Sequence, residues 1–245
     1  MGTISFLRFF PYALDHKQTI AFSALSHLLE SAFSQMSFQK KFMQKHSGKG
    51  DEELSVSERS EMLDSLWATV STLYFIEKVC NSEPNMLSPV YEDSNLPIFA
   101  RSAAELRNAK DHLAQRIGNY SKRKDFLPIN GLVRWTFSPR VEAEEFIFNI
   151  QLFSVDPILK PFKIAAADDI NGITRAFDHL TLYAFDGCLH VSRVHDALEG
   201  FIRILDENLA ASIPQADSGG APKKTDLSEA EQRPFCVVIE GRTTI

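Results

Sequence analysis

The sequence predicts an α+β fold, mainly a helical bundle of about four long helices with a small antiparallel sheet of two hairpins inserted before the last helix. Three observations carry this. Residues 16–45, 57–81 and 98–124 repeat apolar side chains at three- and four-residue steps, the helical period. The texture then changes to alternation over 132–137 and 146–152, and again around Asp186-Gly187, the period of strands. Helical spacing returns from Ser192 to about Ala211. Helices followed by strands and a closing helix are the pattern of an α+β domain.

The elements follow in order. Asp15 can cap the first helix, whose apolar line is Ala21, Leu25, Leu28, Ala32 and Met36. Lys40, Lys41 and Lys45 lie near its C-terminal end, where the helix dipole favours cations. The second helix has Met62, Leu66, Val70, Leu73 and Glu77 on one line, widened by Leu63, Trp67, Tyr74 and Phe75, and stops near Asn81 and Pro84. Residues 84–97, with three prolines, are expected to form a loop. The third helix carries Phe99, Ala103, Leu106, Leu113 and Ile117 and ends in Lys122, Arg123 and Lys124. A first hairpin turns at Ser138-Pro139-Arg140, and a second at Asp186-Gly187 between 180–185 and 188–191. Ser192 caps the last helix, with Val194, Leu198, Phe201, Ile202 and Leu205 inward. The predicted layout is a domain over 1–212 with a β insertion at about 131–191. A flexible linker at 213–234 and a strand-like tail at 235–245 follow; the tail could dock on a protein partner by strand addition.

Composition narrows the function. The chain has 245 residues, 44% hydrophobic and 24% charged, which excludes disordered and collagen-like chains. A net charge of -6 disfavours a globally basic nucleic-acid binder. Cys80, Cys188 and Cys236 lack disulfide or zinc-finger spacing, so a reducing, cytoplasmic setting is expected. No window reaches a membrane span, and the apolar residues at the N-terminus lack the flanks of a signal peptide. No membrane partner, cofactor or metal is expected.

Charge is uneven. Residues 101–124 hold seven Lys or Arg against Glu105 and Asp111, a local +5, leaving -11 for the rest. A basic helix on an acidic body could focus RNA there. The same helix reads Arg107-Asn108-Ala109-Lys110-Asp111-His112. An imidazole can take or give a proton near neutrality, and a guanidinium fork fits phosphate oxygens. On a continuous helix Arg107 and His112 lie about 140° apart, so they flank a groove, while Asn108 and His112 share a face.

This R-N-x-x-x-H motif resembles the R-x4-6-H signature of the HEPN superfamily, by layout over about 16–212 and by motif over six residues. The resemblance implies a helical bundle in which two copies bring two motifs together and cut RNA without a metal, in a bacterial defence or toxin system. His112 would act on the attacking 2′-hydroxyl or the leaving group and Arg107 would stabilise the phosphate. Asn108 matches the polar position, with Lys110 supporting. Arg116, Lys122, Arg123 and Lys124 would hold RNA. The alternative is a catalytically silent binding or scaffold module, acting through its dimer face or C-terminal strand. In that reading Arg107 simply pairs with Asp111 at i,i+4.

Three other patterns carry less. Ser47-Gly48-Lys49-Gly50 lacks the spacing and the strand–helix setting of a phosphate loop. Cys188, His190 and His195 could offer three metal ligands, but no fourth is evident. Asp168-Asp169 and Glu142/Glu144/Glu145 show no acid–base spacing.

Overall fold

The computed structural model describes residues 15–46, 54–122, 128–137, 141–142, 145–146, 149–154 and 179–212. Contacts divide the chain into a unit ending at Asn208 and a second from Leu209 to Ile245; the fold below is that of the first. The expected linker and tail, the N-terminal residues and Asp168-Asp169 lie outside the described residues.

Helix α1 spans His16–His46. Asp15 opens it with a reciprocal cap: its carboxylate accepts from the Gln18 N–H at 2.8 Å, and its own N–H donates to Gln18 Oε1 at 3.0 Å. Helix α2 spans Val56–Ser82 and starts with a true capping box between Ser55 and Glu58. Ala21, Phe22, Leu25, Leu29 and Ala32 of α1 are buried, as are Leu63, Leu66, Val70, Leu73 and Ile76 of α2, the longest apolar stripes of the core.

The stretch expected to be a loop contains helix α3, Leu87–Glu92, and the start of helix α4, Leu96–Asp111. Two of its three prolines, Pro89 in α3 and Pro97 in α4, mislead because they occupy first helical turns, while Pro84 lies in a turn. Pro97 sits at N1/N2 of α4, where no intrahelical N–H is needed. The expected third helix is in fact two. It breaks at His112 and resumes as α5, Leu113–Tyr120. No glycine or proline lies at the break. Tyr120 instead stacks on Phe185, ring centroids 5.8 Å apart, and that tertiary contact holds α5 to the sheet. The last helix, α6, spans Val191–Ser212. It reaches α1 through His195 against Phe33 and α3 through Phe201 against Tyr91.

Strands β1 (Leu132–Phe137), β4 (Asn149–Ser154), β5 (His179–Ala184) and β6 (Gly187–His190) form one antiparallel sheet in the order β4-β1-β5-β6. Strands β2 (Val141–Glu142) and β3 (Glu145–Phe146) make a separate short ladder, offset by one residue from the β1–β4 pairing. The architecture is therefore mostly helical with a small antiparallel sheet, as expected in class. The expected count of four long helices and two hairpins is not matched: among the described residues there are six helices, a four-stranded sheet joined by β1–β5 pairing, and the separate β2–β3 ladder.

The β5–β6 turn is also shifted by one residue, to Phe185-Asp186, with Ala184 opposite Gly187. Phe185 takes φ 54° at the first turn position, a conformation usually left to glycine. Long-range contacts hold it there: its N–H donates to the Pro128 carbonyl at 3.0 Å and its ring meets Trp67 and Tyr120. Gly187 is used in the strand, because a Cβ there would lie 3.1 Å from Leu106 of α4. Ser192 does not serve as the expected cap; its hydroxyl accepts from the Leu180 N–H at 2.8 Å and ties α6 to β5.

Candidate functional site

The α4–α2 seam is close because α4 presents Ala100, Ala103, Leu106 and Ala109, small or slender residues that are all buried. One helical step from Leu106, Arg107 leans onto α2. Its guanidinium carbon lies 4.4 Å from the ring centroids of both Tyr74 and Phe75, which meet each other edge to face at 5.5 Å. Arg107 Nε pairs with Asp111 Oδ2 at 3.5 Å, the i,i+4 pair. Its Nη1 is buried with no hydrogen-bond partner among the described residues. The guanidinium is thus held against two rings, while its charge is only partly answered by a largely exposed carboxylate.

Lys110 makes the neighbouring contact. Its ammonium sits 4.2 Å from the Trp67 ring centroid, and the Trp67 indole N–H donates to the Asn130 carbonyl at 2.7 Å. Lys78 lies 5.1 Å over Tyr74 from the same helix. Three cations therefore lie over three aromatic rings along one seam. The aromatic half of this cradle was missed in the sequence, where Tyr74 and Phe75 look like a widened core stripe. Phe75 is in fact 44% exposed. The available signal was the surplus of large rings on α2 beyond one apolar line.

His112 stands apart. It lies in the break between α4 and α5 and is exposed. Its N–H donates to the Asn108 carbonyl, and its carbonyl accepts from Gln115 and Arg116. Arg107 and His112 share no hydrogen bond or ion pair among the described residues. The 140° helical relation expected for them does not apply, because the helix ends at Asp111. Asn108 is exposed, as are Arg116 on α5 and Lys122 just beyond it; Arg123 and Lys124 lie outside the described residues. The structure thus brings Arg107, Lys110 and Asp111 together with α2 and leaves Asn108, His112 and Arg116 facing outward.

The three residues weighed as metal ligands do not form one group close enough to share an ion. His195 faces Asp196 at 3.9 Å and Glu199 at 3.5 Å on the exposed side of α6, and those three are the only group among the described residues close enough to share an ion. Cys188 and His190 stay together on β6, Sγ to Nε2 at 3.9 Å.

Other titratable groups are structural. Hydrogen bonds from Ser55, backbone first, with Lys45 and His46 nearby, hold the Glu58 carboxyl down at about 2. Burial pushes the Cys80 thiol up to about 12 and raises the Tyr91 hydroxyl and the Asp206 carboxyl. Among the described residues, no helix is long and apolar enough to cross a membrane. Compared with protein-family models, with curated proteins and with solved structures, the chain finds no match.

Proposed function

We propose that this chain is a HEPN-like protein that cuts RNA without a metal, at a composite site formed where two copies pair through their α4–α5 corners. The observation that carries the reading is the pairing of roles within six residues. Arg107 is held against Tyr74 and Phe75 with its charge incompletely neutralised, and His112 is exposed at a helix break one turn away. One chain does not join the two groups, which is what a site completed by a second copy requires.

The chemistry is intramolecular transesterification. The 2′-hydroxyl of one nucleotide attacks its own phosphate and the 5′-oxygen leaves. His112 handles a proton on either oxygen, and Arg107 answers the phosphate charge. Arg116 and Lys122, with Arg123 and Lys124 beyond them, hold the strand; Asn108 and Lys110 support the pair. A cytoplasmic place in a bacterial defence or toxin system goes with the resemblance that motivates the reading.

The test is RNA cleavage by the purified full chain in EDTA. Wild type should cut, and His112→Ala should not, at an unchanged melting temperature. A His112→Ala protein that cuts at the wild-type rate overturns the proposal.

A second reading has its own observation. Arg107 is engaged by Asp111 and two rings of its own chain, as a structural arginine would be. The domain would then be a catalytically silent module acting through its dimer face or its 235–239 strand. In that case neither Arg107→Lys nor His112→Ala changes any RNA, and deletion of 213–245 abolishes partner capture.

A further inference from the structure

The sheet has two unlike faces. One carries Val133, Trp135, Leu180, Leu182 and Leu189, all buried, with Gly187 on the same side against Leu106 of α4. On the other, register aligns two rows across β1, β5 and β6: Leu132–Tyr183–Cys188 and Arg134–Thr181–His190. The second row is polar throughout, and Arg134 and Thr181 are only 2% and 1% exposed. Burying polar side chains is unfavourable unless they are bonded to one another or serve a purpose. A sheet that needed only cover would carry Val or Ile in that row.

Within this face both nitrogens of the His190 ring are engaged. Nδ1 lies 3.3 Å from Thr181 Oγ1, its directly opposite partner on β5. Nε2 lies 3.9 Å from Cys188 Sγ, two residues back on the same strand face. A thiol beside one ring nitrogen and an orienting hydroxyl beside the other is the arrangement that activates a nucleophile. Cys188 and His190 are both only partly buried, unlike Arg134 and Thr181 beside them.

We propose that Cys188, His190 and Thr181 form a second site, a reactive thiol that takes small soft electrophiles. It is independent of the α4–α5 corner. With Nδ1–H donating to Thr181, Nε2 is the acceptor facing Sγ and takes the thiol proton. The thiolate forms one bond to the electrophilic carbon or sulfur. The bond from that atom to its leaving group breaks, and the electron pair departs with the leaving group. With a small disulfide the products are a mixed disulfide on Cys188 and one released thiol, so no further oxidant is needed. Cys188 is the nucleophile, His190 the base, and Thr181 a positioning residue.

Cys80 supplies an internal reference, because it is fully buried and its thiol is held protonated. The experiment is alkylation of the full chain by iodoacetamide at neutral pH, followed by peptide mapping by mass spectrometry. Cys188 should label rapidly while Cys80 stays unlabelled. His190→Gln should slow Cys188 about tenfold, by the loss of thiolate. Thr181→Val should slow it less, and Thr181→Ser should restore it. If His190→Gln unfolds the chain, Cys80 becomes labelled, and the Thr181 pair then decides the matter. Equal Cys188 rates in wild type and the folded variants overturn the proposal, as does a Cys188 that labels no faster than Cys80.

Discussion

Helix α2 is packed along two seams that answer the same problem in opposite ways. Against α1 its polar contacts are neutral. Gln39 Nε2 donates to Thr69 Oγ1 at 2.9 Å and Ser65 Oγ at 3.1 Å, and Gln35 Nε2 donates to Thr72 Oγ1 at 3.2 Å and, within α1, to Ser31 Oγ at 3.0 Å. Charge enters that seam at its two ends, where Lys45 and His46 approach Glu58 and where Lys17 pairs with the buried Glu83 at 3.5 Å. Against α4 the contacts are cationic, with Arg107 and Lys110 laid on Tyr74, Phe75 and Trp67. Amide and hydroxyl groups carry no net charge, so this seam holds no surplus charge, although Gln35 Oε1 is buried with no hydrogen-bond partner among the described residues. Rings hold a cation in place but do not neutralise it. The first seam is a fastening. The second keeps a positive surplus in a fixed position, which is what an anion-binding surface needs.

The largest effect should come from breaking the neutral seam. Gln39→Ala leaves the Thr69 and Ser65 hydroxyls without their donor and opens a buried gap, and should cost about 2 kcal/mol in urea unfolding. RNA cleavage, scaled to folded protein, should not change. An equal fall in cleavage would mean that the seams are coupled.

Arg107 tests the opposite case. Arg107→Ala should cost about 1 kcal/mol, from lost ring contact, yet abolish RNA cleavage. Arg107→Lys keeps the charge, so retained stability with lost cleavage would show that the planar fork is needed. Retained cleavage in Arg107→Ala would reduce the residue to packing.

The Glu58 end of the neutral seam predicts a pH response. Glu58 sits well below the ordinary carboxylate value of 4.5, so its contribution is fully present above that value and is lost as pH falls towards 2. Melting temperature should drop over that window, and Glu58→Gln should flatten the drop. Ser55→Ala should cost about 1 kcal/mol as a lost cap. A melting profile that Glu58→Gln leaves unaltered would assign the acid response elsewhere.

The smallest effect belongs to Lys110→Met, about 0.5 kcal/mol, because the methionine still covers Trp67 while the cation–π attraction goes. Trp67 fluorescence should shift with little change in the unfolding midpoint. A large destabilisation would mean that Lys110 does more than cover the ring.

Much of this was legible because it is local. The cap at Asp15 bonds a group three residues away, and the α1 and α2 stripes repeat within one turn; the Ser55–Glu58 box is just as local but was not read from the sequence. The basic stretch needed only counting. The candidate site was legible in its residues and not in its geometry. Arg107 and His112 can be read off the chain, but their mutual angle depends on a helix that ends at Asp111. The loop reading of 84–97 failed for a related reason, since a proline in a first helical turn and one in a loop are alike in composition.

The sequence by itself determined the helical periods, the Asp15 cap, the return to strands and the cluster of cations, because each follows from interactions a few residues long. Only the tertiary structure decided where the third helix breaks, which residues turn the β5–β6 hairpin, what Arg107 rests on and which sheet face joins Cys188 to His190 and Thr181. The first three depend on partners far along the chain, Tyr120 on Phe185, Phe185 on Pro128 and Arg107 on Tyr74, and the last on the register of one hairpin, which sets His190 opposite Thr181. Such contacts form when distant segments pack together, and no local pattern encodes the distance between them.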